Sequence, residues 1–147
     1  MQNVEKIRKL AEQMRSTLTK MEYDEFPDSD FLLGYPRGCC GDVSNLLAKF
    51  LRDNGIECEY VWGMMGRQSH AWLECDALIV DITADQFPEI KEQILITADK
   101  SWHKKFKRQR RSDGDFEKFN FYNKHRLTTI YKNILLRISR EKRSDLE

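Results

Sequence analysis

No apolar run in this sequence approaches the ~20 residues a membrane-spanning helix needs, and no N-terminal stretch joins a basic start to an apolar core and a cleavage site. Membrane insertion is therefore set aside and a cytoplasmic location is expected, although delivery as a secreted effector would leave no such mark. CxxC pairs are also missing. Adjacent cysteines chelate poorly in closed structural sites, so Cys39, Cys40, Cys58, Cys75, His70 and His103 do not read as a zinc centre. In a reducing compartment the four cysteines are expected to be free thiols. With no internal repeat, low-complexity tract or domain linker, residues 1–147 read as one domain, long enough to bury a core without metal or disulfide, and no cofactor is called for.

What the chain has in quantity is charge. Hydrophobic residues make up 40% and charged residues 33%, the composition of a globular protein with a heavily charged surface. The net charge of +1 hides an asymmetry: residues 1–99 carry 10 Lys and Arg against 18 Asp and Glu, and residues 100–147 carry 15 against 6. An acidic body joins a basic tail of about residues 100–147.

Val4, Ile7, Leu10, Met14, Leu18 and Met21 recur at three- and four-residue spacing, which predicts an amphipathic helix over 3–21. Tyr23 to Pro36, rich in Asp, Pro and Gly, reads as an ordered loop leading to Cys39. From Cys40, positions Val43, Leu46, Leu47, Phe50 and Leu51 define a second helix, capped by Asn54-Gly55. Branched and aromatic residues then predict strands over 57–65, 69–74, 77–83 and 94–97 in one antiparallel sheet. Leu127, Ile130, Tyr131, Ile134, Leu135 and Ile138 predict a last helix within 123–140.

Three short segments carry chemistry: Gly38-Cys39-Cys40-Gly41-Asp42, Ser69-His70-Ala71-Trp72-Leu73-Glu74 and Val80-Asp81-Ile82-Thr83. Cys, His and Asp are the side chains that an activated thiol nucleophile uses. Cys40 falls in the first turn of its helix, where unpaired N–H groups and the dipole favour negative charge. His70 and Asp81 sit on strands close enough in sequence to form a hairpin. A loop of Cys75-Asp76, or of Glu74 to Ala77, would place His70 directly opposite Asp81, with Ala71, Leu73, Leu78 and Val80 sharing the other, apolar face. The roles follow: Cys40 as nucleophile, His70 as general base and acid, Asp81 as the group that orients His70.

These segments resemble the transglutaminase-like superfamily of papain-fold cysteine enzymes over roughly residues 34–87. Cys40-Gly41-Asp42-Val43-Ser44 matches its Cys element, His70-Ala71-Trp72-Leu73-Glu74 its His element, and Asp81-Ile82-Thr83 its Asp element, in the right order. The spacing to Asp42 and Ser44 selects Cys40 over Cys39. The resemblance implies an α+β fold in which the nucleophile helix packs on an antiparallel sheet, here flanked by N- and C-terminal amphipathic helices. It also implies attack on an amide or thioester carbonyl through an acyl-enzyme. Peptidases, deamidases, cross-linkers and inactive scaffolds share the motifs. No upstream Gln completes an oxyanion hole, which leaves Tyr35 or backbone N–H groups as candidates.

The expected function is cysteine-dependent acyl transfer on an amide of a protein or peptide, with peptidase or deamidase activity ahead of cross-linking. A small domain with few insertions has little means of excluding water from an acyl-enzyme. Trp72 reads either as a wall of the site or as core. Gln86 could reach the cleft or simply close a turn, Asp42 complements its helix, and Glu74 reads as a surface charge. The run Lys100 to Arg111 holds seven basic residues with Trp102, His103 and Phe106 interleaved. A solvated face, or docking on the acidic body, is its plainer meaning, with nucleic acid or an acidic partner as the alternative. A non-catalytic interaction module of the same fold is the other rival.

Overall fold

A computed structural model describes residues 4–146. Helix α1 (Val4–Lys20) buries Ile7, Ala11, Met14, Thr17 and Leu18 along one face. Val4, at the tip of the expected stripe, is left 39% exposed. The expected start at Asn3 lies outside the described residues. Two 3-10 turns (Tyr23–Glu25 and Asp30–Gly34) carry the chain to α2 (Cys40–Asp53), in which Val43, Leu46, Leu47, Phe50 and Leu51 are all buried. Asn54 and Gly55 end α2 as the sequence implies. Gly55 takes a left-handed φ of +83°, and the N–H groups of Gly55 and Ile56 return to the carbonyls of Arg52 and Leu51.

Five strands follow: β1 (Glu59–Met65), β2 (Gln68–Cys75), β3 (Leu78–Asp81), β4 (Leu95–Thr97) and β5 (Lys107–Ser112). They form one sheet in the order β4-β3-β2-β1-β5, with every neighbouring pair antiparallel. The long helix α3 (Phe121–Leu146) closes the chain. Residues of all three helices pack in one core with Leu73, Cys75, Val80 and Ile82, from one face of the sheet and the segment just after it. Val61, Trp72 and Ile79, from the opposite face, pack with Phe87 and Phe106 in a second, aromatic-rich cluster. The architecture is α+β, and among the described residues no helix is long and apolar enough to cross a membrane.

Strand β5 departs from the sequence reading, which left Lys100 to Arg111 as a basic run. Lys-Arg-Gln-Arg-Arg-Ser has no apolar alternation to mark a strand, because all six residues stay exposed except the half-buried Gln109. Its conformation comes from pairing with β1, interrupted by an irregularity between Trp62 and Met64. Gly63 makes this approach feasible. A Cβ there would stand 2.9 Å from Phe106 Cβ and 3.1 Å from the Phe106 carbonyl oxygen.

Candidate active site

The site gathers where the N-terminus of α2 meets the sheet. Ser44, one turn into the helix, donates its hydroxyl to the Ala71 carbonyl on β2 at 3.4 Å, which ties the two elements together. The adjacent cysteines have opposite fates. Cys39 is buried in the main core, and burial, with Cys40 and Asp42 nearby, pushes its thiol up to about 12. Cys40, the first helical residue, is only half-buried and lines an open cleft of about 760 Å³ with Arg37, Gly38, Arg67, Gln68, Ser69 and Gln86.

His70 is completely buried, and its Nε2 lies 2.7 Å from Asp81 Oδ2. The Cys40 thiol is near enough to act electrostatically on the same imidazole. Burial alone would disfavour a charged ring. The charge and hydrogen bond of Asp81, together with Cys40, outweigh it and push His70 up to about 9. Burial likewise opposes charge on Asp81, but the two histidines and their hydrogen bonds hold its carboxyl below the usual range. The other Asp81 oxygen accepts from the Thr83 backbone N–H at 3.1 Å and lies 3.4 Å from the Thr83 hydroxyl.

The register differs from the expected one by two residues. Leu73 pairs with Val80 and Cys75 with Leu78, so the turn is Asp76-Ala77 rather than Cys75-Asp76. Asp76 adopts a left-handed φ of +55°, a conformation that Asp tolerates in tight turns. An even shift preserves the side-chain faces, so His70 and Asp81 still share one face, but they are not directly opposed. Pairing of β2 with β3 stops at Leu73 and Val80, and beyond it Asp81 pairs only with Leu95 on β4.

His103, which the sequence offers as a zinc ligand or as one ring in a basic run, joins the site. Its Nε2 lies 2.8 Å from the same Asp81 Oδ2, so one buried oxygen faces two imidazoles. His103 Nδ1 is buried with no hydrogen-bond partner among the described residues. His70, Asp81 and His103 could also ligate a cation, since one ligand atom from each falls within 4.8 Å of the others. The 2.7 and 2.8 Å separations are hydrogen-bond distances, and protons alone account for the cluster. The only advance signal of His103 was an imidazole between Trp102 and Phe106 in a basic run.

The remaining expected residues take definite places. Trp72 is core: fully buried, it stacks on His70 with ring centroids 5.6 Å apart and does not line the cleft. Tyr35 corrects its reading as an oxyanion candidate, since its single hydroxyl proton goes to the Ile82 carbonyl and braces the loop against the segment after Asp81. Gln86 both ends a 3-10 turn and lines the cleft, its Nε2 3.4 Å from His70 Nδ1. Asp42 does more than complement α2, because Arg126 of α3 grips both its oxygens at 2.6 and 3.2 Å. Glu74 is not a surface charge: it is buried and held by Arg111 at 2.7 Å and by Lys100 at 3.6 Å. Those contacts dock both ends of the basic run on the acidic body. All four cysteines are free thiols, and Cys58 donates to the Ala48 carbonyl at 4.0 Å.

A family model described as the transglutaminase-like superfamily matches residues 1–84, more than half of the chain. The chain belongs to the transglutaminase-like superfamily. The match includes Cys40, His70 and Asp81 and reaches through α1, farther toward the N-terminus than the motifs alone suggested. Gln86, His103, β5 and α3 lie beyond it. No curated protein and no solved structure matches the chain significantly. Members of the superfamily are generally cysteine-dependent acyltransferases and hydrolases, and this membership is the frame for the site's chemistry.

Proposed function

We propose that the protein is a cysteine-dependent hydrolase of amide bonds in proteins or peptides, with Cys40 as nucleophile, His70 as general base and acid, and Asp81 as the group that orients His70. The observation that carries this reading is one buried imidazole bonded to the Asp81 carboxylate at 2.7 Å and acted on by the Cys40 thiol that lines the cleft. The nucleophile helix packed on an antiparallel sheet that bears His and Asp supports a papain-like arrangement of the core.

The steps follow from the placement. Nε2 is committed to Asp81, so His70 takes the Cys40 proton on Nδ1. The thiolate adds to the substrate carbonyl, and the resulting oxyanion faces N–H groups of the first turn of α2, which have no intrahelical acceptor. Nδ1 then returns its proton to the leaving nitrogen as the C–N bond breaks, leaving a thioester on Cys40. Water, deprotonated by His70, resolves that thioester to a carboxylate and free thiol. Gln86 Nε2 donates toward Nδ1 only while that nitrogen is unprotonated, so its amide steadies the ring between transfers. The wide polar cleft admits water, which favours peptidase or deamidase chemistry over transfer to an amine.

The test is iodoacetamide labelling across pH, mapped to each cysteine by mass spectrometry. Cys40 is expected to react fastest of the four, and His70→Ala to slow it selectively. A Cys40 that reacts no faster than Cys58 and ignores His70 would overturn the reading in favour of a non-catalytic interaction module.

A further inference from the structure

The cleft in front of Cys40 carries charge of one sign. Arg37 and Arg67 line it and no carboxylate does. Both are exposed, and among the described residues neither has an ion-pair partner. Several arginines packed into the body contrast with them: Arg15 is spent on Asp85, Arg126 on Asp42, and Arg111 on Glu59 and Glu74. Asp42 and Asp85, the acids nearest in sequence to Cys40 and Gln86, are therefore paired within the fold. The mouth keeps its positive charge.

Strand pairing extends this rim. Arg67 sits in the turn between β1 and β2, and Met64, just before that turn, pairs with Lys107 of β5. Exposed Lys107 and Arg108 thus stand at the same end of the sheet as the cleft. Like charges lining a concave site concentrate the field there and draw in anions.

We infer that this cleft selects polypeptide segments bearing Asp or Glu beside the reacting amide, and that Arg37 and Arg67 read those carboxylates. The inference rests on the amide chemistry proposed for Cys40. A polypeptide fits better than nucleic acid because no aromatic ring lines the cleft, whereas single-stranded nucleic acid gains much of its binding from bases stacked on rings. Guanidinium forks pair with carboxylates in bidentate fashion, and the small residues Gly38 and Ser69 line the same cleft.

The experiment compares alkylation of Cys40 by anionic iodoacetate and by neutral iodoacetamide, with free glutathione as reference. The iodoacetate-to-iodoacetamide rate ratio is expected to exceed that of glutathione by roughly three- to tenfold at low salt. It should fall toward the reference as salt rises, and also in the Arg37→Gln/Arg67→Gln variant, whose fold is checked by thermal melting. A Glu-rich decapeptide should protect Cys40 at lower concentration than a Lys-rich decapeptide or an oligothymidylate. A reactive Cys40 with a ratio indifferent to salt and to both arginines overturns this inference alone, as does protection led by the oligothymidylate. A Cys40 inert to both reagents overturns the proposed function, and this inference with it.

Discussion

Residues 1–84, which the family model covers, and residues 85–147, which it does not, divide the site between them. The first region supplies the groups proposed to react, Cys40, His70 and Asp81. The second supplies much of what holds them: Phe87, Trp102, His103 and Phe106 enclose His70 with ring centroids between 5.1 and 6.2 Å away. Arg126 anchors the first turn of α2 through Asp42, and β5 closes one edge of the sheet. The region that carries the proposed reacting groups thus depends on contacts from the second. A thiol and imidazole acting together need fixed geometry, and here part of that rigidity comes from an aromatic cap contributed later in the chain.

Substitutions in the two regions should separate chemistry from support. The largest effect belongs to the first: His70→Ala should slow alkylation of Cys40 at neutral pH by roughly 10- to 100-fold, because an ordinary thiol is only a few per cent thiolate there. An unchanged rate would mean that Cys40 does not depend on His70. Phe106→Ala, in the second region, should instead lower stability by roughly 3–5 kcal/mol in urea denaturation, because a fully buried ring is lost from around His70. If stability survives and labelling of Cys40 is unchanged, the cap is dispensable and the comparison fails.

Titration probes the seam between the regions. His70 is raised from 6.5 to about 9, so its stabilising contribution is complete below 6.5 and disappears as pH rises through about 9. Unfolding free energy should therefore decline over that interval by roughly 1–3 kcal/mol, and His70→Gln should remove this slope. Asp81 behaves oppositely. Its depressed carboxyl stabilises the fold above the ordinary value of 3.8, and that contribution is lost as pH falls through the depressed native value. His103 helps to depress it, so His103→Leu should move acid unfolding to higher pH, while His103→Gln, which retains a donor, should move it back. Equal profiles for the two variants would reduce His103 to a packing residue.

The smallest expected effect is at the α2–α3 tie. Arg126→Gln should cost roughly 1–2 kcal/mol, since a half-buried bidentate pair is traded for one neutral hydrogen bond. It should leave the pH response of His70 in place.

Much of this was legible in the residues themselves. The helical stripes located α1, α2 and α3, and strand parity put His70 and Asp81 on one face, because any even shift of register preserves the face. The two-residue shift itself was not legible, since Asp76-Ala77 and Cys75-Asp76 serve equally well as turns by composition. Choosing between Cys39 and Cys40 from sequence needed the family spacing. In the fold, burial makes the same distinction, turning Cys39 into the core and leaving Cys40 on the cleft. Glu74 defeats a local reading because its partners, Lys100 and Arg111, are distant in the chain.

What the sequence by itself determined is whatever depends on period and local chemistry: the three amphipathic helices, the Gly55 cap, Cys40 at a helix start, and two strands bearing His and Asp on a common face. What only the tertiary structure decided is whatever depends on pairing across distance. An all-polar segment became β5 by bonding to β1, His103 found Asp81, and Arg37 and Arg67 line the cleft without an ion-pair partner among the described residues while Arg15, Arg111 and Arg126 met carboxylates. Periodicity is written in neighbouring residues, but a partner from far along the chain is chosen only when the whole chain has packed.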